Sequence, residues 1–164
     1  MLGPREDYLC WDDTWMTVAK AFAQRSKDPN TQVGACIVDT NNHIAGLGYN
    51  GFPRGCDNHA LPWDRVGDTL DTKYVYICHA ESNAIDNGDT SKIPGSRIYV
   101  TLYPCNECAQ RIIQNRIVEV IYLSDKYHDT DEATAARKMF ELAGVKTRQF
   151  KCEREEVIID LRNW

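Results

Sequence analysis

The chain has 164 residues, seven of them cysteine, and a formal net charge of −5. That length fits a single domain over residues 1–164 with a sizeable core, and 43% apolar against 26% charged residues excludes a disordered chain. The acidic balance argues against a groove for a long polyanion but leaves room for one small phosphate ester, which needs only a few local donors. No basic-then-apolar leader opens the sequence, and no run of about 18 apolar residues could span a membrane. The expected setting is therefore cytoplasmic, with reduced thiols, where a close cysteine pair reads as metal or redox chemistry before a disulfide.

In chain order, Trp15, Val18, Ala19 and Phe22 recur at the spacing of one helical face and predict a helix from about Asp12 to Arg25. Asp12 or Asp13 can cap it, and Pro29 prevents its continuation. Val33–Val38 is a β-rich run, Asn41-Asn42 a turn, and Ile44–Tyr49 the hairpin partner. Residues 50–75 form a long loop rich in Gly, Pro and Asp, a length that usually carries function inside a compact domain. Tyr74–Cys78 reads as strand-like. A helix runs from His79 to about Asn87, ended by Gly88. Arg97–Leu102 is a strand, Cys105–Asn115 a helix, and Val118–Leu123 a strand. Asp129–Ala143 is a helix with Asp129 and Glu132 at its start and Gly144 at its end. Lys146–Phe150 and Val157–Asp160 are candidate late strands. A hairpin followed by alternating helices and strands implies an α/β fold with one mixed sheet covered on both faces.

The residues that carry chemistry are His79-Ala80-Glu81 and Pro104-Cys105-Asn106-Glu107-Cys108. Cys105 and Cys108 stand at i and i+3, so on a helix both thiols share one face, in a first turn whose dipole favours a thiolate. His79 opens the preceding helix. Three protein ligands leave tetrahedral zinc one open position, the pattern of a catalytic site. Such a metal lowers the pKa of a water to about 7. Glu81, two residues past His79, does not share its helical face and suits a group that addresses that water rather than the metal. Taken singly these residues mean less. A lone CxxC can be a redox pair, or part of a closed structural site with Cys36, Cys56 or Cys78 as fourth ligand. His79 alone is an ordinary histidine, and Glu81 alone a solvated helix residue. Jointly they form H-x-E…P-C-x-x-C, the signature of zinc nucleobase deaminases.

His79-Ala80-Glu81-Ser82-Asn83-Ala84-Ile85 and Pro104–Cys108 resemble the deoxycytidylate (dCMP) branch of the cytidine/deoxycytidylate deaminase family. So do Gln24–Gly34, Gly48–Gly55 and Ser124–Asp129. The resemblance covers roughly Tyr8 to Asp160. It implies a three-layer α/β/α sandwich around a mixed, about five-stranded sheet. It implies zinc-dependent hydrolysis of dCMP to dUMP and ammonia, with one catalytic Zn²⁺ held by His79, Cys105 and Cys108. Glu81 would take a proton from the water, protonate N3 and assist the departing ammonia. By the same resemblance Asn50 meets the sugar 3′-hydroxyl, and Ser26, Lys27 and Tyr127 are candidates for the 5′-phosphate. Lys27 reads equally as a solvated charge and Tyr127 as a packing aromatic. Family members with this Gly48–Gly55 motif are commonly homohexamers, activated by dCTP with Mg²⁺ and inhibited by dTTP. That points to Gly51, Arg54 and Asn83 as effector contacts. Some phage members carry a second, structural zinc near the long loop, where this chain has Cys56 and His59, with Cys36 upstream. The alternatives are a deaminase of another cytosine nucleoside or nucleotide, and a non-catalytic zinc module for binding a partner. No polynucleotide or membrane partner is expected.

Overall fold

Alternation of apolar side chains decides the sheet. Along Gly34–Val38 (β1), Arg97–Leu102 (β3) and Glu119–Ser124 (β4), the residues Ala35, Ile37, Ile98, Val100 and Val120 enter one core. Cys36, Val38, Tyr99 and Ile121 enter a second core on the opposite face. A sheet apolar on both sides needs cover on both. Trp11–Ala23 (α1) covers one face with Trp15, Met16 and Ala19. Ala80–Asp86 (α2), Asn106–Gln114 (α3) and Asp131–Ala143 (α4) cover the other with Ala84, Ile112, Ala136 and Phe140.

The computed structural model describes residues 2–154 and 156–162. With Ile44–Tyr49 (β2) and Lys146–Gln149 (β5), the sheet has the order β2-β1-β3-β4-β5. β1 is antiparallel to β2 and β3, while β3, β4 and β5 run parallel. The result is a mixed five-stranded sheet between helical layers, as the sequence implies. The antiparallel switch between β1 and β3 brings the segment leading into β1 beside the carboxyl end of β3, where the Gly34 amide donates to Thr101 Oγ1 at 3.1 Å. Ligand crevices of open α/β sheets form at such places.

Several element ends differ from the sequence reading. α1 starts one residue earlier than expected, so its cap is Cys10, whose Sγ accepts from the Asp13 amide at 3.4 Å. Asp12 and Asp13 then fall in the first turn, and Asp12 pairs with Arg148 on β5. α4 is capped by Thr130, whose Oγ1 accepts from the Ala133 amide, and not by Asp129. Gly144, at φ 71°, ends α4 as expected. Residues 74–78 are not a strand: Lys73–Val75 is a 3₁₀ turn, and only Cys78 pairs, in a single bridge to Gly51. The long loop also holds a second such turn, Thr69–Asp71. The run from Val157 to Asp160 forms no strand, and Ile158 and Ile159 stand exposed. β propensity needs an adjacent edge to express itself, and among the described residues no strand pairs with this run.

β2 and α2 touch backbone to backbone. A Cβ on Gly48 would lie 2.2 Å from the Ala80 carbonyl oxygen and 2.3 Å from the Ala84 nitrogen, and a Cβ on Gly46 2.2 Å from the Ala84 carbonyl oxygen. β2 therefore carries glycine where the α2 backbone rests directly on it. Gly48→Ala should cost about 1–3 kcal/mol, the usual penalty of overpacking. It should appear as a lower urea midpoint together with reduced zinc content, because α2 bears the residues at one side of the site. An unchanged midpoint would mean that α2 lifts away freely.

Candidate active site

Two helix starts meet at the carboxyl end of β3. His79 is the N-cap of α2 and Cys105 the N-cap of α3, and neither side chain makes a capping hydrogen bond. They turn toward each other instead. His79 Nδ1 lies 3.3 Å from Cys105 Sγ and 3.3 Å from Cys108 Sγ, and the three donor atoms all fall within 4.8 Å of one another. Tetrahedral zinc with bonds of about 2.0–2.1 Å to nitrogen and about 2.3 Å to sulfur would hold such atoms about 3.5 Å apart. The donor set and its spacing fit zinc. Among the described residues no fourth His, Cys, Asp or Glu joins the three.

Of the three donors only Cys105 is biased toward its ligating form. A hydrogen bond from the Cys108 thiol, reinforced by His79, holds Cys105 down to about 4. Cys108, the donor in that bond and itself buried, is pushed up. The bond to Cys105 raises His79 to about 9. Metal loading must therefore release protons, since zinc takes thiolates and a neutral imidazole.

Beside this trio opens a cavity of about 450 Å³, within the range of small-ligand sites. His79, Glu81 and Cys105 line one part of it. Glu81 is buried, and burial pushes its carboxyl up, against the pull of the His79 ring. Asp28, Asn50 and Lys73 are buried lining residues. Arg65, Tyr74 and Tyr127 are exposed lining residues, with Arg65 Nε donating to the Tyr74 hydroxyl at 3.1 Å and Lys126 Nζ 4.9 Å from the Tyr127 ring centre.

Ser26 and Lys27 do not line this cavity. Ser26 Oγ donates to the Asn50 carbonyl at 2.9 Å and accepts from the Asp28 amide at 3.3 Å. Lys27 lines a separate depression of about 180 Å³ with Tyr49, Gly51 and Arg54. Arg54 also donates to Asn87 Oδ1 at 2.9 Å. Asn83 is not in that lining but donates to the Tyr49 carbonyl at 2.8 Å. Cys36 is buried under α1, whereas Cys56 and His59 are exposed on the loop. Among the described residues none of the three enters a metal-holding cluster. Asp28, Lys73 and Arg65 are among the cavity residues that escape the sequence reading. Asp28 lies inside a motif without a role, and Lys73 meets it across 45 positions with no local signal. Arg65 has a usable one, as the single basic residue of an acidic stretch.

A model of the cytidine and deoxycytidylate deaminase zinc-binding region matches residues 9–124. The chain is 57% identical over 157 residues to the deoxycytidylate deaminase of Homo sapiens, covering 95% of this chain and 88% of that one. A probable deoxycytidylate deaminase of Drosophila melanogaster is 46% identical over 162 residues, covering 95% and 80%. Among solved structures, the dCMP deaminase of cyanophage S-TIM5 in complex with dCMP and dUMP aligns with TM-score 0.65 at 28% identity. That alignment covers 84% of this chain and 95% of the other.

Elemental analysis of the purified chain should give about one zinc per chain, and Cys105→Ala and Cys108→Ala should each lose it. Because assembly of such a site is coupled to folding, both variants should also unfold at lower temperature. Full zinc retention in both would rule out the trio as the metal site.

Proposed function

The chain belongs to the cytidine and deoxycytidylate deaminase family, and on that premise we propose how its residues act on the substrate. The reaction is hydrolytic deamination of dCMP to dUMP and ammonia. The observation that carries the residue assignment is a buried carboxyl, Glu81, lining the same cavity as His79 and Cys105. Zinc held by His79, Cys105 and Cys108 supplies the Lewis acid that makes a water nucleophilic near neutral pH. Glu81 takes the proton that this water gives up as its oxygen joins C4. It passes that proton to N3 of the ring, then takes the second proton from the new C4 hydroxyl and gives it to the amino nitrogen, so that the C4–N bond breaks, C4=O forms and ammonia leaves with the carboxylate restored. A carboxyl whose burial pushes it upward exchanges protons near neutrality more readily than a solvated one.

The nucleotide's remaining groups meet the other lining residues. Asn50 receives the sugar 3′-hydroxyl. Arg65 and Tyr127, at the exposed part of the cavity, receive the 5′-phosphate, where a charge-assisted contact is worth about 1.5–3 kcal/mol. Ser26 supports the Asn50 turn, and Lys27 belongs with the glycine-rich loop. No helix among the described residues is long and apolar enough to cross a membrane. All seven cysteines are free, which supports a cytoplasmic setting.

Ammonia release measured across cytidine, CMP, deoxycytidine, dCMP and dCTP tests this reading, with dCMP expected as the best substrate. Glu81→Gln should keep fold and zinc while lowering kcat by at least about 10²-fold, the loss expected of a proton shuttle. Near-normal turnover would remove Glu81 from that role.

Regulation belongs to the smaller depression. Lys27 and Arg54 supply positive charge there, and Gly51 lets a phosphate approach the backbone. Asn50 lines the substrate cavity and Gly51 the depression, so adjacent residues face both ligands. Gly51 also exchanges backbone hydrogen bonds with Cys78, the residue before His79, at 3.1 and 2.8 Å. An effector held here acts on a segment tied to a zinc ligand. The assembly is a homohexamer whose two states bind dCTP–Mg²⁺ and dTTP unequally, since equal affinity would shift nothing. Rates against dCMP should be sigmoidal, made more hyperbolic by dCTP and more sigmoidal by dTTP. Equilibrium titration should find dCMP tightening dCTP by the same factor as the reverse. Arg54→Ala should blunt both responses. Hyperbolic rates indifferent to both triphosphates would refute this control.

A further inference from the structure

Asp28 and Lys73 form an ion pair for which the deamination chemistry has no use. Both line the substrate cavity, yet Asp28 is 2% exposed and Lys73 5% exposed. Burying two charges costs several kcal/mol per ion, and a well-packed apolar pair is often at least as stable. Stability alone therefore does not account for the pair.

Its contacts suggest a task. Asp28 Oδ1 accepts from the amides of Asn30 at 2.8 Å and Thr31 at 3.3 Å. Asp28 Oδ2 accepts from Lys73 Nζ and, at 3.3 Å, from Asn50 Nδ2. Asn50 Nδ2 also donates to the Thr31 carbonyl at 2.9 Å, and Asn50 Oδ1 accepts from the Val33 amide at 2.8 Å. A side-chain amide has two donor hydrogens and two acceptor lone pairs. Both donors of Asn50 are used within the protein, and one lone pair on Oδ1 remains. Toward a ligand in the cavity, Asn50 is an acceptor only.

We infer that the Asp28–Lys73 pair is a positioning device that holds the Asn50 amide in this orientation, so that the cavity presents an oxygen to a sugar hydroxyl and rejects a sugar lacking it. The inference rests on dCMP occupying the cavity with its 3′-hydroxyl at Asn50. An ionised Asp28 can only accept, which directs the Asn50 NH₂ toward it and away from the substrate. Lys73 is the counter-charge to this buried carboxylate. Without it Asp28 is an uncompensated buried charge, and the carboxylate loses the partner that fixes Oδ2 beside Asn50. The Asn50 amide is then held by its bonds to Val33 and Thr31 alone and can tilt away from the geometry in which Oδ1 accepts from the sugar hydroxyl.

The test uses zinc-loaded protein and compares kcat/KM for dCMP with that for 2′,3′-dideoxycytidine 5′-monophosphate. The wild type should favour dCMP by about tenfold, one net hydrogen bond. Lys73→Met should bring the ratio close to one by slowing dCMP, with the dideoxy substrate little changed, and Lys73→Arg should restore the preference. If Lys73→Met does not fold or hold zinc, the double variant Asp28→Asn/Lys73→Met removes both charges together and should also lose the preference. Equal losses on both substrates, or an unchanged ratio, in whichever charge-removing variant folds would overturn the inference. So would a wild type that turns over dCMP without any preference. A wild type with no dCMP turnover would instead refute the assigned reaction on which the inference stands.

Discussion

The site depends on two helices beginning at nearly the same point in space. An N-cap residue has extended backbone, and its side chain ordinarily folds back on the helix's own free amides. His79 and Cys105 both occupy that position and both forgo the bond. Their side chains are free to converge because α2 lies against β2 and β1, while α3 leaves directly from β3. The glycines of β2 set how near α2 can come. A larger residue would push α2 outward and carry the His79 ring away from two thiols that stand 3.3 Å from it. The packing of one helix on one strand thus helps to set the spacing of the three donor atoms.

Positive charge near the three donor residues is sparse. The chain as a whole is acidic at −5, and the cavity sets Arg65 and Lys73 among Asp28, Glu81 and Glu132, while the neighbouring depression adds Lys27 and Arg54. Long-range attraction of a polyanion would require that positive charge to extend over a surface. Here it is local and partly spent, with Lys73 committed to Asp28. Such a distribution suits a single phosphorylated small molecule and not a strand of nucleic acid.

The two depressions are linked by short, specific backbone connections. Asn50 and Gly51 are neighbours in sequence, Gly51 pairs with Cys78, and Asn83 on α2 holds the Tyr49 carbonyl. A displacement of the glycine-rich loop has few ways to be absorbed before it reaches His79, because these contacts are hydrogen bonds of fixed length and not deformable side-chain packing. The proposed control by a triphosphate would thereby have a physical route within one subunit, and in the proposed hexamer such a displacement would be common to several sites.

Much of this is legible in the sequence alone. The nearness of Cys105 and Cys108 can be read from their spacing of three, because an N-cap residue and the residue three positions on share the first turn of a helix; that His79 meets them is seen only in the structure. The sheet can be read from alternation in β1, β3 and β4, because two faces of a strand have two environments. What local pattern could not supply was anything made by residues distant in the chain without a repeating period. Asp28 and Lys73 meet only because the long loop folds over the segment leading into β1. Ser26 and Lys27 are adjacent in sequence yet point to different surroundings, one toward the Asn50 turn and one toward the depression. The run from Val157 to Asp160 has strand propensity but no edge to join. Periodicity and short spacing are properties of the chain itself and survive in any fold that keeps the element. Burial, pairing and cavity lining are properties of which elements become neighbours, and only the tertiary structure decided those.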